Sequence, residues 1–126
     1  MNLSLLMTIN AVVAVIFGIG FVVSPGATLA FYGIAPDAAF RLVSQLFGAA
    51  LIGFAVLTWS ARNAAASDAR KAIVLALFVA DGLGFVLSLI GQLQGVANAL
   101  GWLNVVIYLL LALGFGYFQF LKPSAP

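Results

Sequence analysis

The chain has 126 residues, of which 65% are hydrophobic and 6% charged, with a formal net charge of +2. Soluble domains are nearer 45–50% apolar with about a quarter of their residues charged, so the chain has too little polar surface to cover a soluble fold. With no Cys and no His, disulfides, thiol nucleophiles and His-based metal or acid–base chemistry are excluded, and five basic residues on an apolar chain give nucleic-acid binding no support.

Met1 to Pro36 contains no charged side chain, and residues 3–23 are long enough to span a bilayer. A cleaved signal peptide would carry a basic flank and a shorter apolar core, so this segment is read as a retained helix, ended by Ser24-Pro25-Gly26. Residues 25–33 form a short helical turn closed by Gly33, with Phe31 and Tyr32 suited to the headgroup region. Pro36 in a first turn and Asp37 beside it start a second span over 38–60. Asp37 and Arg41 have the spacing and order of a helical ion pair.

Loop 61–71 holds Arg62, Asp68, Arg70 and Lys71, and Ser67 is the expected N-cap of a third span over 68–92. Its three basic residues, Arg62, Arg70 and Lys71, would attract anionic inner-leaflet lipid at about 1 kcal/mol each, but the preferred reading is of solvated topology markers. After a short uncharged turn, a fourth span runs over 98–121 until Lys122-Pro123 stops it. With the N-terminus inside, Arg62, Arg70, Lys71 and Lys122 face the cytoplasm against Arg41 alone outside, which predicts N-in, C-in topology. The expected fold is therefore all-α: a single transmembrane domain over 1–126, an integral membrane four-helix bundle with short loops.

Gly18-Ile-Gly20-Phe21-Val22-Val23-Ser24 aligns with Gly82-Leu-Gly84-Phe85-Val86-Leu87-Ser88. Two readings stand: two parallel helical hairpins related by an in-plane rotation, or coincidence in a chain rich in Gly, Phe and Val.

Asp81 falls near the middle of the third span. A carboxylate there costs about 2.5–3.5 kcal/mol on insertion scales, so it must face a partner or water. Tyr108 and Asn104 share one face of the fourth span and are its expected partners. Arg41, Ser44, Gln45 and Gly48 share a face of the second span and would extend this polar cleft toward the outer surface. The cleft reads either as a ligand-binding or proton-titrating site, or as an interhelical hydrogen bond that sets register. Asn10 reads as a packing hydrogen bond in the first span.

Ala72, Ala76, Ala80, Gly84 and Ser88 place a small residue every fourth position of the third span. That strip suits close helix packing, either because this helix is central in the bundle or because it meets another chain. Ala14 and Gly18 on the first span offer a lesser surface that could meet it.

From Phe17 to Arg62 the chain carries a Gly-rich helix, Pro25, Phe31-Tyr32-Gly33, Arg41-Leu42, Phe47-Gly48, Leu51-Ile52-Gly53 and Arg62. This pattern resembles the small bacterial four-helix membrane proteins grouped with the DoxX-like families. The resemblance implies a multi-pass protein of a bacterial inner membrane and lends no catalytic residue. The expected function is that of a non-catalytic accessory or interaction protein, one that binds a lipid or other apolar molecule within the bundle. Its expected partners are membrane lipid and either further copies of itself or another membrane protein; no metal or cofactor and no nucleic acid is expected. The alternative is a small oligomeric proton-coupled transporter or channel using Asp81.

Overall fold

Four long helices and one short one make up the fold of the computed structural model, which describes residues 1–122 and has no strand among them. They are α1 (Leu3–Val23), α2 (Pro25–Phe31), α3 (Ala38–Ala61), α4 (Asp68–Leu93) and α5 (Gly101–Gly116), the last running on through a π-helical turn, Tyr117–Leu121. All but α2 are long and apolar enough to cross a membrane. The four expected spans coincide with them to within a few residues.

Side-chain caps set the starts. Asn2 Oδ1 accepts from the Leu5 N–H (2.8 Å), Asp37 Oδ1 from Phe40 (2.8 Å) and Ser67 Oγ from Arg70 (3.1 Å), each satisfying a first-turn donor that has no intrahelical acceptor. Two details differ from expectation. Pro36 precedes the cap instead of occupying the first turn. Because the Asp37 carboxylate serves as cap, the Arg41 guanidinium turns instead to the Pro36 carbonyl (3.4 Å).

α5 begins at Gly101, three residues later than expected. The Asn98–Leu100 segment is a tighter turn: Gly101, Trp102 and Leu103 donate to the carbonyls three residues back, and Asn98 Oδ1 accepts from the Leu100 N–H (3.0 Å). A short polar side chain able to bond its own backbone favours such a turn over a regular helical start.

α1 packs along α3 and α4 along α5, so the bundle consists of two hairpins that meet chiefly through α1 and α5. Glycine permits the first contact. A Cβ on Gly48 would stand 2.8 Å from the Gly18 carbonyl, and one on Gly18 would stand 3.0 Å from the Gly48 carbonyl. Gly18 therefore faces α3, not the α4 strip that its small size suggested it could meet. In the second hairpin the Tyr108 ring lies directly over Gly84, where any Cβ would collide with it.

The aligned Gly-x-Gly segments do not repeat each other's contacts. Gly18 is held against α3, whereas its counterpart Gly82 faces open space. The hairpin arrangement is present without equivalent roles for the matched residues.

At the end of the bundle where α1 begins, Leu6, Met7, Val74, Leu77, Leu111 and Phe115 form a buried core across both hairpins. At the opposite end the loops are tied by hydrogen bonds. The Asn98 backbone N–H donates to the Tyr32 carbonyl (2.8 Å), and Asn98 Nδ2 to the Phe31 carbonyl (3.1 Å). Gly33 sits at φ 75° against the Asn98 side chain, a left-handed turn that glycine adopts without steric penalty. Phe31 is half exposed, as an interfacial ring should be, but Tyr32 is only 3% exposed. Its phenol has a partner inside the bundle, so of the two rings only Phe31 has the half-wet surroundings expected of both.

Candidate functional site

Between the packed end and the tied loops the bundle is hollow. Two adjoining compartments of about 90 and 120 Å³ share Asn10, Asp81 and Tyr108 on their walls. Asn104 adds a fourth polar group to the first, and the remaining wall is apolar, with Phe17, Phe21, Phe47 and Leu51 prominent. Each compartment exceeds the minimum needed to hold a water molecule.

α4 brings Asp81 there because Val74, Leu77 and Asp81, three and four residues apart, form its buried face. Asp81 is 7% exposed, and its Oδ2 is fully buried with no hydrogen-bond partner among the described residues. The other polar groups of the wall are held in place. Asn10 Nδ2 donates to Thr58 Oγ1 (3.4 Å), and the Thr58 hydroxyl donates to the Phe54 carbonyl (2.8 Å). Asn104 Oδ1 accepts from the Tyr32 hydroxyl (2.7 Å). Burial pushes the Tyr32 phenol above the ordinary tyrosine range, so it remains a donor at neutral pH.

Of the expected cleft residues, Asp81, Tyr108 and Asn104 come together on one cavity. Neither Asn104 nor Tyr108 satisfies Asp81 Oδ2: the Asn104 amide is oriented by its Oδ1 bond from Tyr32, and the Tyr108 ring is seated on Gly84. Arg41, Ser44 and Gln45 lie apart from the cavity. Arg41 is exposed, Ser44 is buried, and Gln45 Nε2 donates to the Val22 carbonyl (3.1 Å) near the end of α1. The α3 face they share with Gly48 is occupied by the close contact with α1, so α3 lends the cavity Phe47 and Leu51 in their place.

The small-residue strip is divided. Gly84 packs under Tyr108 and the Ser88 hydroxyl donates to the Gly84 carbonyl (2.6 Å), while Ala80 borders the second compartment. Ala72 and Ala76 are exposed on the outside of the bundle.

Asn10, Thr58 and Tyr32 belong to the site or its immediate support, although the sequence reading assigned none of them to it. Asn10 was visible as a lone polar residue, and the Tyr32 hydroxyl as a polar group in an apolar stretch. Among the described residues no three His, Cys, Asp or Glu side chains cluster as metal ligands. The cavity thus offers one carboxyl with a free oxygen, two amides and a phenol on an otherwise apolar wall.

These features define a multi-pass helical membrane protein with an internal, largely apolar chamber and, among the described residues, one buried carboxyl group. Comparison with protein-family models, with curated proteins and with solved structures finds no match to the chain.

Proposed function

We propose that this chain is a non-catalytic accessory protein of a bacterial inner membrane, with its N- and C-termini inside, and that its bundle holds a small apolar molecule with one polar end. The observation that carries this reading is Asp81: a side chain nine-tenths buried, with an unpartnered oxygen, on the wall of an otherwise apolar chamber. An unsatisfied buried acceptor costs about 1–3 kcal/mol, and a ligand's hydroxyl or amine offsets that cost by donating to it. Phe17, Phe21, Phe47 and Leu51 would surround the apolar body. The membrane and the orientation rest on the DoxX-like resemblance and on the excess of basic residues at the end where α1 begins. The exposed Ala72 and Ala76 allow another helix to approach α4 closely.

The test is native mass spectrometry of the protein extracted gently from its own membrane. The reading predicts a bound small molecule that is lost in Leu51→Trp, which fills the chamber, and in Asp81→Leu, which removes the acceptor. A wild-type protein carrying no such mass would overturn it. A second reading, a small oligomeric proton-coupled transporter, is favoured by the same free carboxyl near the middle of α4. It predicts a proton-coupled flux in reconstituted vesicles that Asp81→Asn abolishes.

A further inference from the structure

Three cations from three different elements converge at the end of the bundle where α1 begins. Arg62 follows α3, Arg70 stands in the first turns of α4, and Lys122 follows the π-helical turn after α5. Together with Asn2 and Ser4 they line a groove of about 350 Å³, within the ~300–1,000 Å³ span of small-molecule sites. Among the described residues no carboxylate lines this groove, and the amino end of α1 adds its own partial positive charge. Like charges gathered this way repel unless an anion joins them. Two of them are already oriented: the Arg62 guanidinium donates to the Trp59 carbonyl and stacks 3.7 Å from the centroid of that ring, and Arg70 Nη1 donates to the Ala64 carbonyl (2.9 Å). A guanidinium has five N–H donors, so each keeps most of its capacity for a phosphate.

A second groove, also of about 350 Å³, runs between α1 and α3 with an almost wholly apolar lining that includes Ala11, Val12, Val15, Val56 and Trp59. Ala11 and Ala55 are its buried floor. The two grooves share a helix face, since Ser4, Ala11, Val12 and Val15 are spaced seven, eight and eleven residues apart on α1. Ser4 is bonded to Asn63, just beyond the end of α3 (Oγ to Oδ1, 3.1 Å). Trp59 joins the grooves, lining the apolar one while carrying on its ring the Arg62 that lines the basic one. From Ser4 to Val15 the helix rises about 16 Å, roughly one leaflet of a ~30 Å hydrocarbon core.

We propose that this face of the bundle binds one anionic phospholipid, with its phosphate among Arg62, Arg70 and Lys122 and one acyl chain in the furrow between α1 and α3. The furrow is what distinguishes a lipid from a free phosphate, which would use the basic groove alone. The site is separate from the Asp81 chamber and does not depend on it.

The test titrates the full chain in detergent with dioleoyl phosphatidylglycerol, dioleoyl phosphatidylcholine or inorganic phosphate and reads bound mass by native mass spectrometry. One phosphatidylglycerol is expected per chain in preference to phosphatidylcholine. Retention should fall about 30-fold in Arg62→Gln/Arg70→Gln and markedly in Val56→Trp, which fills the furrow from its exposed rim. Lys71→Gln and Arg41→Gln, outside the groove, should leave it unchanged. Equal retention of the two lipids would overturn the proposal, as would a loss in Lys71→Gln as large as in the double variant. So would displacement of the lipid by inorganic phosphate, or full retention in Val56→Trp. Should the double variant lose helicity by circular dichroism, Lys122→Gln and Val56→Trp decide the matter by themselves.

Discussion

The Tyr32 hydroxyl crosses from the first hairpin to the second and donates to Asn104 Oδ1 at 2.7 Å. With the two bonds from Asn98 to the carbonyls of Phe31 and Tyr32, it joins the hairpins at the end of the chamber away from the packed core. Wall and closure are therefore one structure, since Asn104 both lines the chamber and anchors the loop that closes it.

Removing that hydroxyl tests the closure. Tyr32→Phe should keep the fold and lower stability by about 0.6–1.5 kcal/mol, the range for one interhelical or buried hydrogen bond. Thermal unfolding in detergent measures the loss, and hydrogen exchange at Asn98 and Asn104 should quicken. Unchanged stability and exchange would mean that the bond does not hold the hairpins together.

Glycines on α4 give a contrast that depends on the packing alone. Gly82 faces open space, whereas a Cβ on Gly84 would run into the Tyr108 ring. Gly82→Ala should be neutral or stabilising by up to about 1 kcal/mol, from helix propensity. Gly84→Ala should destabilise by about 1–3 kcal/mol through overpacking. Tyr108→Leu should recover much of the Gly84→Ala loss, as expected of two residues in contact. Equal effects at the two glycines would contradict the seating of Tyr108 on α4.

Asp81 sets stability against function. Replacing an unpartnered buried acceptor with an apolar group, Asp81→Leu, should stabilise the empty protein by about 1–3 kcal/mol, and should abolish ligand retention with helicity intact because the acceptor is gone. Functional sites commonly carry such a trade-off. Unfolding curves for ligand-free protein provide the measurement, and a marked loss of stability in Asp81→Leu would show that the carboxyl serves structure.

Orientation can be read directly because the chain has no cysteine of its own. Ala35→Cys and Ala65→Cys place thiols in exposed loops on either side of α3. With the N-terminus inside, a membrane-impermeant maleimide should label position 35 in intact cells, and position 65 only after permeabilisation. The reverse pattern would invert the topology.

Helix boundaries were legible because they depend on local chemistry. Ser67 caps α4 as its position before an apolar run predicts, and Ser24-Pro25 separates α1 from α2. The start of α5 was misplaced, since the tight turn at Asn98 is part of its contact with the Tyr32 loop. Of the site, the sequence disclosed the carboxyl and its neighbours on the fourth span, but not Asn10 or Tyr32. It also put Arg41, Ser44 and Gln45 in a cleft they do not line.

That division has a physical basis. Span number, length and basic-residue asymmetry are sums along the chain, and the sequence by itself determined them through hydropathy. Which residues meet depends on the rotation of each helix about its axis. In α1 and α5, apolar nearly all round, no amphipathic stripe records that rotation. Only tertiary packing decided it: Gly18 against Gly48 sets α1 on α3, and Gly84 under Tyr108 sets α4 on α5. The chamber is the space left between the two hairpins once those contacts have formed.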